Sequence, residues 1–186
     1  MNLHHVDLAA CRPQRWRNGG GVTQELLAWP DATAWTLRVS VAHIDRSGPF
    51  SAYAGVDRWL AVIEGVGVHL VLPEGDRVLT PDDEPVAFAG EAAPACHLVD
   101  GPTRDLNLML RRDGLQAHLQ RARTGTELDG TTRWRGLYAA EPAVLDCDGV
   151  AAPVHAHTLV WSDDGESSRW VVRAAGRAWL LTVVPR

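Results

Sequence analysis

Polar side chains recur at alternate positions within two otherwise apolar stretches of the chain. Arg38 and Ser40 interrupt one stretch, and Asp105 and Asn107 interrupt the other. Alternate residues of a β-strand point to the same side of a sheet. A cation, a hydroxyl, a carboxylate and an amide that converged on one side would suit a small anionic or zwitterionic ligand. The plainer alternative is structural, with Arg38 in an ion pair with Asp105 or with Glu25.

A glycine-rich stretch, Trp16-Arg17-Asn18-Gly19-Gly20-Gly21, adds an indole and an amide to this chemistry. Asn-Gly predicts a tight turn, because both residues tolerate positive φ. The additional glycines predict close approach of the backbone to another strand, or to a ligand held by N–H groups. The simplest interpretation of the stretch is a plain tight turn.

The sequence also contains one candidate metal site. His155 and His157 follow Gly149 with the spacing that opens the first motif of metal cupins. Two His residues two apart on one strand project to the same side and can share a metal. The Glu that such a motif needs is missing, since Trp161 and Ser162 stand near its place. We therefore expect two half-exposed histidines and no metal.

The composition excludes several classes of function. All 18 basic side chains are arginine, so a side-chain Schiff base and a P-loop lysine are both excluded. The net charge is -5 and the basic residues are not clustered, so no nucleic-acid partner is expected. The three cysteines stand far apart in sequence, which argues against a disulfide framework. Arginine favours forked recognition of carboxylates.

No membrane partner is expected either. The most apolar segment, residues 59–72, is interrupted by Glu64, by two glycines and by His69. The first residues of the chain lack the basic start and the apolar run of a signal peptide. We therefore expect a cytoplasmic protein, and we expect it to need no cofactor.

Strands must position these side chains, because sustained helical periodicity is nearly absent. Alternation predicts strands over residues 34–42 and 105–111, and a strand over 22–29 follows the glycine turn. Further strands or strand pairs are predicted over residues 59–64, 68–72, 86–89, 94–99, 135–146, 153–161 and 170–184. Many short strands separated by Gly and Pro turns predict an all-β sandwich or barrel.

The organisation into halves is predicted from one polar connector, residues 124–132. Residues 115–123 before it fit either a short helix or a strand. We therefore expect an N-terminal domain over residues 1–123, which carries the motifs, and a C-terminal half over residues 124–186. The second half is expected to exchange strands with the first.

The motifs, taken together, resemble the signature of the HutD/Ves family. Besides the glycine-rich stretch, the matching residues are Thr23, Glu25, Arg38-Val39-Ser40, Gly48-Pro49-Phe50-Ser51, Gly55, Asp57-Arg58, Gly65, Gly67, Phe88-Ala89-Gly90, Asp105-Leu106-Asn107, Met109 and Arg111-Arg112. They run in family order over residues 16–112. The remainder of the chain resembles the family only loosely, and Arg17 stands where many members have lysine.

This resemblance implies a bicupin: two small β-barrels of jelly-roll type packed together, with little helix. It also implies a pocket in the first barrel, lined by the matched polar residues, and absence of the usual cupin metal ligands. For HutD proteins it implies a link to histidine utilisation, with a proposed role in sensing urocanate or a related intermediate. For Ves proteins it implies only a stress association.

Our leading hypothesis is a metal-free, non-enzymatic protein that binds a small carboxylate, either urocanate-like or formate-like. Arg38 would hold the carboxylate, and Asn18 and Asn107 would bond its polar edges. Trp16 and Phe50 would form the walls of the pocket. Asp105 would orient Arg38 or meet a ligand cation. The complete predicted site comprises Trp16, Asn18, Gly20, Glu25, Arg38, Ser40, Phe50, Arg58, Asp105, Asn107 and Met109.

Three rival hypotheses and one open point remain at this stage. The first rival is a lyase, isomerase or hydrolase that acts on a similar substrate with Asp105 or Glu25 as its base. The second is a metal cupin that uses His155 and His157. The third is a protein-interaction module whose pocket is vestigial. Whether the chain forms a homodimer is left open.

Overall fold

A computed structural model describes residues 3–128, 132–164 and 168–186 of the chain. These residues form short β-strands and two single-turn 3-10 segments, Leu8–Ala10 and Gly90–Ala92. The strands are β1 (His4–Asp7), β2 (Pro13–Arg15), β3 (Gly21–Trp29), β4 (Leu37–Ile44), β5 (Gly48–Pro49), β6 (Val56–Glu64), β7 (Val68–Val71), β8 (Arg77–Leu79), β9 (Val86–Ala89), β10 (Ala95–Leu98), β11 (Thr103–Arg111), β12 (Leu115–Arg121), β13 (Glu127–Leu128), β14 (Trp134–Ala139), β15 (Ala143–Cys147), β16 (Val150–Val154), β17 (Thr158–Ser162), β18 (Trp170–Ala175) and β19 (Ala178–Pro185). The predicted all-β class is confirmed. Within these ranges no helix is long and apolar enough to span a membrane.

The chain divides into two compact units. The first unit is Cys11–Asp113, and the second unit combines Met1–Ala10 with Gly114–Arg186. The boundary therefore differs from the predicted division after residue 123. Residues 115–121 form a strand that pairs with β19, which assigns them to the second unit. The N-terminal strand β1 pairs with β17 and so also belongs to the second unit.

The second unit consists of two antiparallel sheets. Their strand orders are β1-β17-β14-β19-β12 and β13-β18-β15-β16. A buried apolar cluster that includes Leu137, Leu145, Val160, Trp170 and Leu180 forms its core. Burial of such side chains is the main favourable contribution to folding of a small unit like this one.

The first unit also consists of two antiparallel sheets, with orders β2-β3-β4-β11-β6-β9 and β5-β10-β7-β8. Each unit is therefore a sandwich of two sheets, as in jelly rolls, and not one closed barrel. Apolar side chains fill part of the first unit's interior: Ile44, Phe50, Leu60, Val62, Val68, Leu70, Leu72, Leu79, Phe88 and Cys96. The buried polar side chains of this unit include Ser40, Arg58, Asp105 and Asn107, which belong to the candidate site.

Strand register explains how the polar side chains come together. Ser40 on β4 lies opposite Asn107 on β11. Arg38 lies opposite Met109, which in turn lies opposite Arg58 on β6. Since residues opposite each other in antiparallel strands share a face, the predicted polar faces of β4 and β11 form one continuous surface. The convergence predicted from alternation is confirmed.

The glycine-rich stretch forms the tight turn between β2 and β3. Gly19 N donates to Trp16 O at 3.0 Å, and Trp16 N donates to Gly21 O at 3.0 Å. Gly19 has a φ of +66°, a conformation in which glycine carries no steric penalty. A Cβ atom on Gly21 would lie 2.3 Å from His43 O. The close approach predicted from the extra glycines is therefore made by a neighbouring strand.

Candidate functional site

A cavity of about 480 Å³ lies within the first unit. Its lining residues are Gln14, Arg15, Trp16, Arg17, Asn18, Thr23, Arg38, Ser40, Ala42, Pro49, Phe50, Ser51, Tyr53, Arg58, Asn107 and Met109. Four of these residues are arginines, and none is Asp or Glu. The chain as a whole carries a net charge of -5, so this concentration of cations is local. The cavity therefore favours an anion.

Arg38 is the arginine of β4 that lines the cavity. Its Nε lies 2.5 Å from Glu25 Oε2 on the neighbouring strand, and the two side chains form an ion pair. Glu25 is the one side chain that pairs with the Arg38 guanidinium among the residues that the structure describes. A guanidinium with its terminal nitrogens available can bind a carboxylate through two parallel hydrogen bonds.

Arg58 on β6 is almost completely buried, with 6% of its surface exposed. Its guanidinium carbon lies 5.3, 5.6 and 5.1 Å from the ring centres of Phe50, Tyr53 and Phe88. Nη2 donates to Asn107 Oδ1 at 2.9 Å. Burial lowers the pKa of Arg58, while the nearby Asp105 acts in the opposite direction. The aromatic rings hold this cation at one fixed place in the wall of the cavity.

Asn107 connects Arg58 to the buried carboxylate of Asp105. While its Oδ1 accepts from Arg58, its Nδ2 donates to Asp105 Oδ1 at 3.2 Å. Asp105 is 0% exposed and does not line the cavity. Burial raises the pKa of Asp105 to about 7, although Arg58 and the hydrogen bond from Asn107 lower it. The two contacts fix the orientation of the Asn107 amide, which leaves one N–H and one oxygen lone pair for a ligand.

The glycine turn and the loop after β5 also contribute to the lining of the cavity. Trp16 Nε1 donates to Thr23 Oγ1 at 2.7 Å, and the indole meets Phe50 edge-on with ring centres 6.4 Å apart. Asn18 Oδ1 accepts from Gly20 N at 2.9 Å, which closes the turn and fixes the Asn18 amide. The Trp16 and Phe50 rings and the Asn18 amide thus join the arginines in the lining of the cavity.

The structure assembles eight of the eleven predicted site residues around this cavity: Trp16, Asn18, Arg38, Ser40, Phe50, Arg58, Asn107 and Met109. Gly20, Glu25 and Asp105 do not line it. Gly20 contributes its backbone to the turn, Glu25 pairs with Arg38, and Asp105 lies behind Asn107. Of the predicted partners for Arg38, Glu25 is therefore confirmed. The carboxylate of Asp105 instead acts on Arg58.

Eight lining residues were not among the predicted site residues: Gln14, Arg15, Arg17, Thr23, Ala42, Pro49, Ser51 and Tyr53. Thr23, Pro49 and Ser51 lie within the family motifs, so a signal for them existed. Arg15 precedes the motif, and Tyr53 is in a loop without any recognisable spacing. Only the fold shows that these two side chains reach the cavity.

The predicted placement of His155 and His157 on one strand is wrong. Both residues lie in the turn between β16, which ends at Val154, and β17, which begins at Thr158. His157 has a φ of +57°, which belongs to a turn and not to a strand. The two residues therefore do not form the strand pair from which a shared face was predicted. Throughout the described ranges, no three metal-ligating side chains come together in a group.

The fold and the cavity together define a cupin-like all-β protein of two units, with an arginine-lined cavity in the first. A family model described as HutD matches residues 8–181. The chain belongs to the HutD family, which confirms the resemblance recognised in the motifs.

Individual relatives agree with this assignment. An uncharacterised 21.2 kDa protein in the hutC 3' region of Pseudomonas putida is 37% identical over 70% of this chain, and the match spans 65% of that relative's length. A protein named Ves from Cronobacter sakazakii is 29% identical over 87% of this chain and 88% of its own. The structure of HutD from Pseudomonas fluorescens SBW25, in a formate condition, is 27% identical with a TM-score of 0.86, and the match covers 100% of each chain.

Proposed function

We propose that this protein binds a small organic carboxylate in the cavity of its first unit. The observation that carries the proposal is the set of four arginines, unaccompanied by any acidic residue, in the lining of that cavity. Net charge does not explain the arrangement, because the chain is acidic overall. A volume of about 480 Å³ lies in the usual range for small-molecule sites.

Each group at the site has a distinct role in this proposal. Arg38 binds the carboxylate, because its terminal nitrogens are available and Glu25 holds the base of the guanidinium. Asn107 and Asn18 donate to polar atoms of the ligand, and their amides are already oriented by protein contacts. Trp16 and Phe50 pack against the planar body of a ligand such as urocanate.

The family suggests which carboxylate this is. The HutD family is related to the histidine-utilisation locus, and the Pseudomonas putida relative is named for its position beside hutC. We therefore propose a ligand from histidine breakdown, with urocanate as the first candidate, and a role in sensing or modulating that breakdown. A Ves-like role without this ligand is the alternative within the same family.

Calorimetric titration with urocanate, histidine, formiminoglutamate and formate tests the proposal. Arg38→Gln should weaken binding by about tenfold or more, since a hydrogen bond to a charged group contributes about 1.5–3 kcal/mol. Arg77→Gln removes the same charge from β8, away from the cavity lining, and should bind like wild type. Absence of binding for all four compounds, or equal binding by Arg38→Gln, would contradict the proposal.

An enzyme acting on a similar substrate is a second candidate, and one observation favours it. The raised pKa of Asp105 is typical of a general base. The position of the carboxylate argues the other way, because Asp105 is 0% exposed and lies behind Asn107. Glu25 does not line the cavity either. Incubation with the four compounds, followed by NMR, separates the candidates, because only an enzyme forms a product.

A further inference from the structure

Asp105 is a buried acid, and the cation that acts on it among the described residues, Arg58, also lines the cavity. One of its oxygens, Oδ1, accepts from Asn107, while Oδ2 accepts no hydrogen bond from the described residues. Asn107 accepts from Arg58, so the three side chains form one hydrogen-bonded chain from the interior to the cavity wall. The negative charge of Asp105 is therefore balanced mainly by Arg58, which an anionic ligand in the cavity would also contact.

The other groups around Asp105 do not replace Arg58. From β4, the backbone N–H of Ala42 favours the charged carboxylate. From β10, the Cys96 thiol is near Asp105, but burial and the charge of Asp105 raise the pKa of this thiol to about 12, so it stays neutral. From β6, the charged group is Arg58 itself, on which Tyr53 also acts. Loss of part of the Arg58 attraction therefore destabilises the ionised form of Asp105.

We propose that a small carboxylate entering the cavity drives one proton from solvent onto Asp105. The ligand shares the positive charge of Arg58 and displaces water, and both effects oppose a second negative charge nearby. Uptake of the proton keeps the net charge of the site unchanged when the anion binds. Asp105 is thus a positioning residue that acts through Asn107 and Arg58 without touching the ligand. This inference rests on the proposed function and deepens it.

The sign of the pH dependence follows from this coupling. Asp105 gives up its proton less readily in the complex than in the free protein. Affinity is therefore highest at low pH, and it falls as pH rises from the pKa of the free protein, about 7, to the higher pKa of the complex. If the two pKa values differ by about one, the affinity falls about tenfold across this range.

Formate is the probe, because it stays ionised at neutral and alkaline pH. Its dissociation constant should rise about tenfold between about pH 6 and about pH 9 for wild type. Asp105→Asn should bind with the same affinity at both pH values. Asp113→Asn, an exposed acid at the end of β11, removes the same charge and should retain the wild-type pH dependence.

A second measurement uses the unaltered chain and does not depend on the folding of any variant. The side-chain carboxyl carbon of Asp105, observed by NMR in protein labelled with ¹³C-aspartate, should titrate at higher pH when formate is saturating. Binding of formate with an unchanged Asp105 titration, or with no pH dependence, would overturn the proton coupling and leave the proposed function intact. Absence of formate binding at every pH would overturn the proton coupling. The proposed function is decided separately, by whether urocanate and the other candidate carboxylates bind.

Discussion

Replacement of Asp105 by Asn should make the protein more stable than wild type at alkaline pH. The pKa of Asp105 is raised from 3.8 to about 7 in the folded protein because the carboxyl group is buried. The folded state therefore holds this proton more tightly than the unfolded state does. Wild-type stability should fall as pH rises from about 4 to about 7, because the carboxyl must ionise in the interior. An Asn side chain cannot ionise and avoids this loss.

The size of this pH-dependent change in stability follows from the pKa values of Asp105 in the unfolded and folded states. A difference of one in pKa corresponds to 1.36 kcal/mol, so the rise from 3.8 to about 7 amounts to about 4 kcal/mol. No discount for solvent screening applies, because Asp105 is 0% exposed. A constant offset of about 1–3 kcal/mol acts against the variant, since its amide places an N–H group where Oδ2 has no partner. The pH-dependent part is therefore the informative quantity.

Urea unfolding at several pH values between about 4 and about 8 measures this quantity. Tryptophan fluorescence follows unfolding of both units, because each contains four of the eight tryptophans. The free energy of unfolding of Asp105→Asn minus that of wild type should increase by about 4 kcal/mol across this range and then level off. Asp113→Asn, which removes an exposed acid, should run parallel to wild type.

Two results would refute the reasoning. If the difference in unfolding free energy between Asp105→Asn and wild type stays constant with pH, Asp105 does not change protonation on unfolding in this range. A difference that decreases as pH rises would mean that attraction to Arg58 outweighs burial, so that the ionised form is the favoured one. Either result would also remove the basis for proton uptake on ligand binding.

Three further predictions concern other contacts. Gly21→Ala should lower the free energy of unfolding by about 3 kcal/mol, because a Cβ atom would lie 2.3 Å from His43 O; an unchanged urea midpoint would contradict this. Glu25→Gln should tighten formate or urocanate binding several-fold in calorimetry, because Arg38 loses its counter-charge, and weaker binding would count against the assigned role of Arg38. Arg135→Met should destabilise the second unit by about 3–5 kcal/mol in urea unfolding, because Arg135 is 1% exposed and its removal leaves buried partners unsatisfied; wild-type stability would disprove the importance of these contacts.

Much of the first unit could be predicted from its sequence, because alternation reports directly which face a side chain occupies. Arg38 with Ser40 and Asp105 with Asn107 were placed on two strand faces before any fold was known, and the register brings those faces together. The resemblance supplied Arg58, whose spacing alone carries no signal. The all-β character of both units followed from the turn-forming residues between the strands, while the choice between sandwich and barrel did not.

The sequence could not show how deeply a polar side chain is buried or which distant strands pair. Asp105 and Asn107 share one face, but only the packed structure shows that Asn107 reaches the cavity and Asp105 stays behind it. Part of the predicted connector 124–132 forms strand β13 (Glu127–Leu128), and residues 129–131 lie outside the described residues. The connector also does not reveal that β12 pairs with β19. His155 and His157 likewise have the spacing of a strand, while the local backbone forms a turn.

The pairing of β1 with β17 has a consequence for how the polypeptide matures as it is synthesised. The first unit is one continuous segment, so it can fold as soon as it has left the ribosome. The second unit combines segments on both sides of the first unit, and β1 cannot pair until β17 has been synthesised. During that interval β1 lacks the strand with which it pairs in the folded protein, and this unpaired strand exposes the nascent chain to aggregation.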